Sequence, residues 1–325
     1  MTLANKHRYK AFLDGLKHPD PDGFRSAVAA FISPDSNANA IHPINAMDGA
    51  DGYHSQFIAP LSMAFENLYR RDDIVIAGRY EGQNWVSSTG YFVGKFNNPL
   101  FGIKPTNNLA YLRVGEFHRI ENGQSVESYT FLDLPELMMH AGQWPLQRPQ
   151  AFTGHVPGPA TQDGLRLTSA DQIQTTQTLS TIEAMLKGLA TKDEAWQKYW
   201  HPNMMWYGPA AFGRYVGAED FRGFQIPFEA AFEGWGGGLS SHTPTRHFTR
   251  YADDTYACIG GWPSVQGTHV KPFLGFEPTG TTIRFRVCDW WRREGDLLVE
   301  NWVFVDVPHA LLQWNYDLFA EMARQ

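Results

Sequence analysis

Apolar residues recur along this chain of 325 residues with two periods, and each period predicts one kind of element. At a spacing of three or four residues, aromatic and aliphatic side chains share one side of two predicted helices: Tyr53, Phe57, Leu61 and Phe65, and later Phe221, Phe224, Phe228 and Phe232. Further helices are predicted near residues 23–31, 169–190 and 192–200. Pro60 and Pro227 fall inside the two aromatic helices, where a missing N–H predicts a bend or a break.

Alternation of apolar and polar residues predicts strands in two groups of four. The first group is IVIAGRY, WVSSTGYFVG, LAYLRVGEFHRI and SVESYTFLDL, and the second is HFTRYA, TYACIGGWPSVQG, TIRFRVCDWWRR and LLVENWVFVDV. In each group a short turn, ENG or EGD, joins the last two strands as a hairpin. Helices followed by a meandering antiparallel sheet, twice over, predict the α+β class.

The two groups of strands repeat one pattern, because the run that starts at Gly94 aligns without a gap on the run that starts at Gly267. A repeat this long exceeds the period of a stacked solenoid, about 20–50 residues. It predicts a duplicated domain: an N-terminal arm and the first domain in residues 1–147, a linker in 148–169, and the second domain in 170–325. The arm is expected to hold one short helix and the polar stretch SPDSNANA. We expect the two domains to pack sheet against sheet as an intramolecular pseudo-dimer, with a further homodimer left open.

Composition and charge exclude several classes of protein. A net charge of −7 argues against a nucleic-acid surface, which needs a clustered basic face. No apolar run is long enough to span a membrane and the N-terminus lacks a signal-peptide core, so a cytoplasmic protein is expected. Cys258 and Cys288 give neither a disulfide framework nor a zinc spacing. The chain also lacks HExxH, phosphate-loop and dinucleotide motifs, so neither a metal nor a cofactor is predicted.

Carboxylates at matching positions of the two copies are candidates for acid–base chemistry. Asp306 ends the strand ENWVFVD on the face that carries Trp302 and Phe304, and Asp133 ends the matching strand of the first copy. A carboxylate at the end of an aromatic row is a suitable general acid or base. The alternative is a helix cap, since both aspartates precede x-Pro and a helical stretch.

The neighbouring strand of each hairpin adds a second carboxylate, Asp289 in the second copy and Glu116 in the first. Two carboxylates in different environments can divide the roles of acid and base. Glu116 and Asp133 therefore mark a candidate second pocket. His269 is a further candidate, with an exposed loop histidine as the alternative. A pocket for a small, flat, apolar ligand is predicted to be lined by aromatic residues: Trp206, Tyr207, Phe224, Phe228, Trp302 and Phe304.

The segment GTHVKPFLGFEPTG, followed by RFRVCDWWRREGDLLVENWVFVDVPHALLQ, resembles the SnoaL-like polyketide cyclase (ester cyclase) family. Residues 40–145 resemble the same family, with phenylalanine and tyrosine where the second copy has His269 and Trp302. The resemblance implies a nuclear transport factor 2-like (cystatin-like) cone in each half, a curved antiparallel sheet wrapped on helices. It also implies a cofactor-independent aldol closure in which Asp306 transfers the proton, His269 polarises or relays, and Trp302 and Phe304 exclude water.

Three functions therefore stay open at the level of sequence. The first is a cofactor-independent acid–base enzyme that acts on a small apolar carbonyl or polyketide-like substrate in the second domain. The second is a ligand-binding or scaffold protein in which both terminal aspartates are helix caps. The third is a dehydratase or isomerase that uses Asp289 and Asp306 as a dyad. The side chains that face an apolar pocket distinguish among them.

Overall fold

The computed structural model describes residues 2–17, 20–149, 151, 153–192, 194–239 and 245–325. The chain divides into two compact units. Unit 1 comprises Met1–Trp144, Pro157–Ser169 and Met322–Gln325, and unit 2 comprises Pro145–Val156 and Ala170–Glu321. The stretch predicted as a linker thus contributes residues to both units.

Unit 1 places helices before and after a sheet. Its helices are α1 (Thr2–Gly15), α2 (Pro21–Phe31), α3 (Gly49–Tyr53), α4 (Ala59–Ala64) and α5 (Leu134–His140), and its strands are β1 (Ile32–Ala40), β2 (Ala46–Asp48), β3 (Phe65–Tyr80), β4 (Gln83–Phe96), β5 (Leu109–Glu121) and β6 (Gln124–Leu132). The strands form one sheet in the order β2-β1-β6-β5-β4-β3. All pairs are antiparallel except β1 and β6, which run parallel, so the sheet is mixed.

Unit 2 repeats this plan. It contains α6 (Gln172–Ala190), a 3-10 turn (Glu194–Tyr199), β7 (Trp200–Tyr207), β8 (Arg214–Val216), α7 (Ala218–Ala230), β9 (Phe232–Gly237), β10 (His247–Asp253), β11 (Tyr256–His269), β12 (Thr282–Glu294), β13 (Leu297–Val305) and α8 (Val307–Leu312), and α9 (Leu318–Ala323) follows. The strand order is β10-β11-β12-β13-β7-β8, with β9 paired to β11. Strands β13 and β7 are parallel, as β6 and β1 are in unit 1. The predicted α+β class is confirmed for both halves.

The polar stretch SPDSNANA belongs to β1, which the sequence pattern did not reveal. The chain there has little intrinsic strand preference, because asparagine, aspartate and proline are depleted in strands. The strand exists because it pairs with β6, and its small residues Ser36, Ala38 and Ala40 are buried. Helix α1 was likewise not predicted.

The two prolines in the aromatic helices have different consequences. In unit 1 the helix is interrupted as predicted, because a π-helical turn (His54–Ile58) separates α3 from α4 directly before Pro60. In unit 2 Pro227 lies inside α7, which continues to Ala230. Among the described residues, no helix is both long and apolar enough to cross a bilayer.

Candidate functional site

Unit 2 contains a cavity of about 150 Å³ bounded by α6, α7 and one face of the sheet. Its lining is mostly apolar and includes Met185, Leu189, Trp200, Trp206, Phe212, Phe221, Phe224, Phe228, Trp235, Ile259, Phe285, Trp291, Val303 and Val305. Such a surface suits an apolar ligand whose orientation is set by a few polar groups. The polar side chains on the wall are Gln225, His247, Ser264, Asp289 and Asn301.

Asp289 is the one carboxylate among the described residues that line the cavity. It lies on β12 opposite Ile259 of β11 and Val303 of β13, and its side chain is 7% exposed. All three side chains line the cavity, as partners directly opposite each other in antiparallel strands share one face. The carboxylate therefore lies among aliphatic neighbours on the sheet side of the cavity.

Asn301 orients the Asp289 carboxylate. Its Nδ2 donates to Oδ1 of Asp289 at 3.3 Å and to the backbone oxygen of Trp290 at 3.0 Å. The second bond ties the amide to the backbone of β12, so the donor cannot rotate away without losing it. Asn301 was not among the candidate residues, although strand periodicity puts it on the same face as Val303 and Val305.

Asp306 lies outside the cavity lining. It is fully buried and precedes α8, where Oδ1 accepts from the backbone N–H of His309 at 3.1 Å. Its Oδ2 accepts from Nη1 of Arg286 at 3.0 Å. Asp306 therefore caps α8, as the helix-cap alternative predicts. Strand parity explains why it is absent from the cavity, since Trp302, Phe304 and Asp306 share the face opposite the one that carries Val303 and Val305.

Asp306→Ala is expected to lower the free energy of unfolding by about 1 kcal/mol for the lost cap of α8, and further for the lost ion pair with Arg286. Asp306→Asn is the matched control, since asparagine also caps helices and should cost less. Urea denaturation of both variants measures the difference. Equal losses of stability in the two variants would contradict a capping role. An Asp306→Asn variant of normal stability but without activity would indicate that Asp306 is catalytic.

His269 lies at the end of β11 and is buried, so it is not an exposed loop residue. Its Nδ1 accepts from the backbone N–H of Thr279 at 3.3 Å, and its ring stacks on Trp314 with centroids 4.3 Å apart. Burial lowers the pKa of His269. The ring is not part of the cavity lining, and it also packs against Phe232 with ring centroids 5.6 Å apart.

Only some of the aromatic residues that were predicted to line a pocket line the cavity. Trp206, Phe224 and Phe228 line the cavity. Tyr207 and Trp302 do not, and they pack against each other with ring centroids 5.5 Å apart. Phe304 also lies outside the lining and packs edge to face on Trp290. The structure thus brings Asp289 together with three of the six predicted aromatic residues.

In unit 1 the candidates Asp133 and Glu116 do not meet in a common pocket. Asp133 precedes α5 and accepts from the backbone N–H of Glu136 at 3.2 Å, as Asp306 caps α8. Glu116 is fully buried in an ionic network. Its Oε2 accepts from Nη1 of Arg70 at 2.8 Å, and its Oε1 accepts from the hydroxyls of Tyr53 and Thr130.

Side chains from the N-terminal helices pack beside this network. The hydroxyl of Tyr9, on α1, is 2.6 Å from Oγ of Ser88, which also accepts from Arg70. Aromatic rings of Tyr9, Phe12, Phe31 and Tyr53 surround His118 at centroid distances of 5.1 to 6.4 Å. The position in unit 1 that matches the cavity carboxylate of unit 2 is therefore packed by protein side chains.

Burial, with a smaller contribution from the Arg70 charge, lowers the pKa of His118 to about 3. In the unfolded chain the same group titrates near 6.5. As pH falls from 7 towards 3 the unfolded state binds a proton that the native state does not, so the free energy of unfolding falls, by about 2 kcal/mol at pH 5. We expect His118→Phe to remove this part of the acid sensitivity, as measured by urea denaturation at pH 7 and pH 5. An unchanged pH dependence in the variant would contradict the assignment.

No group of three or more histidine, cysteine, aspartate or glutamate side chains in the described part of the chain is arranged to hold a metal ion.

Comparison with known proteins identifies one family. Residues 182–301 match the family model described as a SnoaL-like domain. No curated protein sequence matches the chain.

Three solved structures with a similar fold each cover less than half of the chain. AclR from Streptomyces galilaeus, a candidate hydroxylase, is 17% identical and covers 43% of this chain and 97% of its own, with a TM-score of 0.37. IdmH from Streptomyces antibioticus, a candidate polyketide cyclase, is 16% identical and covers 43% and 99%, with a TM-score of 0.36. An LEH-like epoxide hydrolase from M. tuberculosis is 13% identical and covers 47% and 99%, with a TM-score of 0.33.

Proposed function

Since residues 182–301 match the model of the SnoaL-like domain family, we propose that unit 2 is a cofactor-independent acid–base enzyme with Asp289 as its proton-transfer group. The proposed substrate is a small, apolar, polyketide-like carbonyl compound. One observation carries the proposal: among the residues that the structure describes, one carboxylate lies on the wall of a mostly apolar cavity, and an amide orients it.

Asp289 would take a proton from a carbon next to a carbonyl group. The C–H electron pair becomes an enolate, and the enolate carbon forms a C–C bond to a second carbonyl carbon of the same molecule. The protonated Asp289 then returns its proton to the alkoxide that this closure creates, so the product is an isomer of the substrate. Proton transfer by a positioned side chain raises the reaction rate by about 10²–10⁴-fold. A rate enhancement of this size is suited to a C–H bond that neighbouring carbonyl groups already make acidic.

The cavity supplies the other requirements of this chemistry. Its aromatic and aliphatic walls exclude water from the enolate, and Asn301 holds one oxygen of the base while the substrate approaches. Low polarity around the carboxylate strengthens the electrostatic interactions formed there. We do not propose an Asp289–Asp306 dyad, because the two side chains occupy opposite faces of the sheet.

A ligand-binding protein without catalysis is the second candidate. The hydrogen bond between Asn301 and Asp289 favours it, because such a pair also stabilises a buried carboxylate without any reaction. The two candidates differ in one measurable property, the exchange of acidic C–H protons with solvent.

The test uses 2-tetralone, an apolar two-ring ketone, incubated with the protein in D₂O and followed by NMR. Exchange at the carbon between the ring and the carbonyl, faster than in buffer and lost in Asp289→Asn, supports the enzyme. Binding without accelerated exchange for this ketone and a panel of aromatic 1,3-dicarbonyl compounds supports the ligand-binding protein and overturns the proposed function.

A further inference from the structure

We infer that His247 is a neutral hydrogen-bond donor to a carbonyl oxygen of the ligand, and that Arg250 and Glu183 fix the ring in the tautomer that donates. The inference rests on the proposed function, since it names the group that binds the carbonyl whose neighbouring carbon Asp289 deprotonates. It also narrows the substrate class to compounds with an oxygen acceptor on the side of the cavity away from Asp289.

A chain of hydrogen bonds leads from α6 to His247. Oε1 of Glu183 accepts from Nε of Arg250 at 2.8 Å, and Nη1 of Arg250 is 3.3 Å from Nδ1 of His247. The ladder between β10 and β11 shifts register between His247 and Thr249. Such a bulge inserts one residue and changes the parity of the strand, which lets His247 and Arg250 contact each other although they are three residues apart.

The contact with Arg250 determines the tautomer of His247. A guanidinium group only donates hydrogen bonds, so Nδ1 must be the acceptor. In a neutral imidazole the proton is then on Nε2. Among the described residues Nε2 has no hydrogen-bond partner, so its N–H is available to a ligand in the cavity that His247 lines.

The ring is also kept uncharged. It is 4% exposed, and burial together with the Arg250 charge lowers the pKa of His247 to about 3. At neutral pH the ring therefore presents an N–H without a positive charge. A neutral donor is suited to a carbonyl oxygen that gains negative charge only during the reaction.

A glycine of the backbone packs closely on the Nε2 side of the ring. Gly238 has a positive φ of 59°, and a Cβ at this position would lie 2.7 Å from Nε2 of His247. Any side chain there would displace the ring or cover the nitrogen that carries its proton. Glycine at this position therefore lets the backbone lie against the ring without covering Nε2 with a side chain.

His247 and Asp289 are placed to bind two parts of one molecule. They lie on β10 and β12, with β11 between them, and both line the cavity. Two strand spacings and an offset of two residues along the strands separate the two backbones by about 12 Å. A ketone can accept from Nε2 through its oxygen while its acidic C–H faces the carboxylate.

The test compares two ligands of nearly equal shape, 2-tetralone and its hydrocarbon counterpart tetralin, by isothermal titration. His247→Phe is expected to weaken binding of the ketone about tenfold, the effect of one lost hydrogen bond, and to leave binding of tetralin within about twofold. His247→Gln, which retains an N–H donor, should restore part of the ketone affinity. Equal losses for both ligands, or no loss for the ketone, would overturn the inference.

The inference and the proposed function fail in different ways. If Asp289→Asn stops proton exchange while His247→Phe leaves the preference for the ketone unchanged, the donor role is wrong and the enzyme stands. If the wild-type protein prefers the ketone through His247 but accelerates no exchange, the donor stands and the enzyme is wrong. If the wild-type protein binds neither ligand, both are wrong.

A spectroscopic readout tests the tautomer without any ligand. Nitrogen-15 NMR of the imidazole should show a proton on Nε2 and no protonation of His247 between pH 7 and pH 5. In Arg250→Met the acceptor role of Nδ1 is no longer enforced, so the Nδ1–H tautomer should become populated. A wild-type ring that carries its proton on Nδ1, or that titrates near pH 6, would exclude the proposed donor.

Discussion

Asp289→Asn is expected to lower the rate of proton exchange at the acidic carbon of a bound ketone by about 10²–10⁴-fold. Asparagine preserves the shape of the side chain but cannot accept a proton at neutral pH. The variant should bind the ketone about as well as the wild-type protein, because the apolar walls and His247 contribute the proposed binding energy. The rate constant should therefore fall while the dissociation constant changes little.

The design of this experiment separates chemistry from folding. Asp306→Asn is the matched control, since it changes the same functional group on the other face of the same sheet. Exchange rates measured by NMR, with unfolding curves for both variants, should show a loss of rate only for Asp289→Asn. A fully active Asp289→Asn variant would exclude Asp289 as the base.

Arg70→Met in unit 1 is expected to lower the free energy of unfolding of that unit by about 3–5 kcal/mol. Arg70 is fully buried and donates to Asp72 at 2.7 Å, to Glu116 at 2.8 Å and to Ser88 at 3.0 Å. Its removal leaves two buried carboxylates without their cation. Breaking a buried ion pair costs more than the pair contributes, because an uncompensated charge remains in a medium of low polarity.

The matched control for Arg70→Met is the double variant that also carries Glu116→Gln. Replacing one of the two buried carboxylates that lost their cation should recover part of the lost stability, even though the double variant contains fewer of the native interactions. Hydrogen exchange of peptides from β4 and β5, read by mass spectrometry, reports the free energy within unit 1. A double variant less stable than Arg70→Met alone would contradict the electrostatic explanation.

The two units have different interiors although they share a repeated sequence pattern. Glu116 and Asp289 occupy matching positions of the repeat. In unit 1 the acid is neutralised by Arg70 and packed beside rings from α1, α2 and α3. In unit 2 the acid faces a cavity. We therefore propose that unit 2 carries the activity and that unit 1 serves a structural role.

Much of the fold was predictable from the sequence. Apolar periodicity located the strands β3 to β6 and β10 to β13, the helix α6 and the α+β class, and the motif around GTH and ENWVFVD led to the SnoaL-like family. The strands β1 and β7, each paired in parallel with the last strand of its sheet, were not predicted. Their stability comes from pairing with distant residues, which local patterns do not contain.

What the sequence determined by itself was which side chains share a face: Trp302, Phe304 and Asp306 on one side of β13, and Asn301, Val303 and Val305 on the other. What only the tertiary structure decided was which of these faces α6 and α7 would cover with a cavity between them. Both faces of β13 are largely buried and apolar, so local periodicity cannot distinguish them. That choice depends on how helices more than 60 residues before β13 in the chain pack on the sheet. It places Asp289 and His247, rather than Asp306 and His269, at the cavity wall.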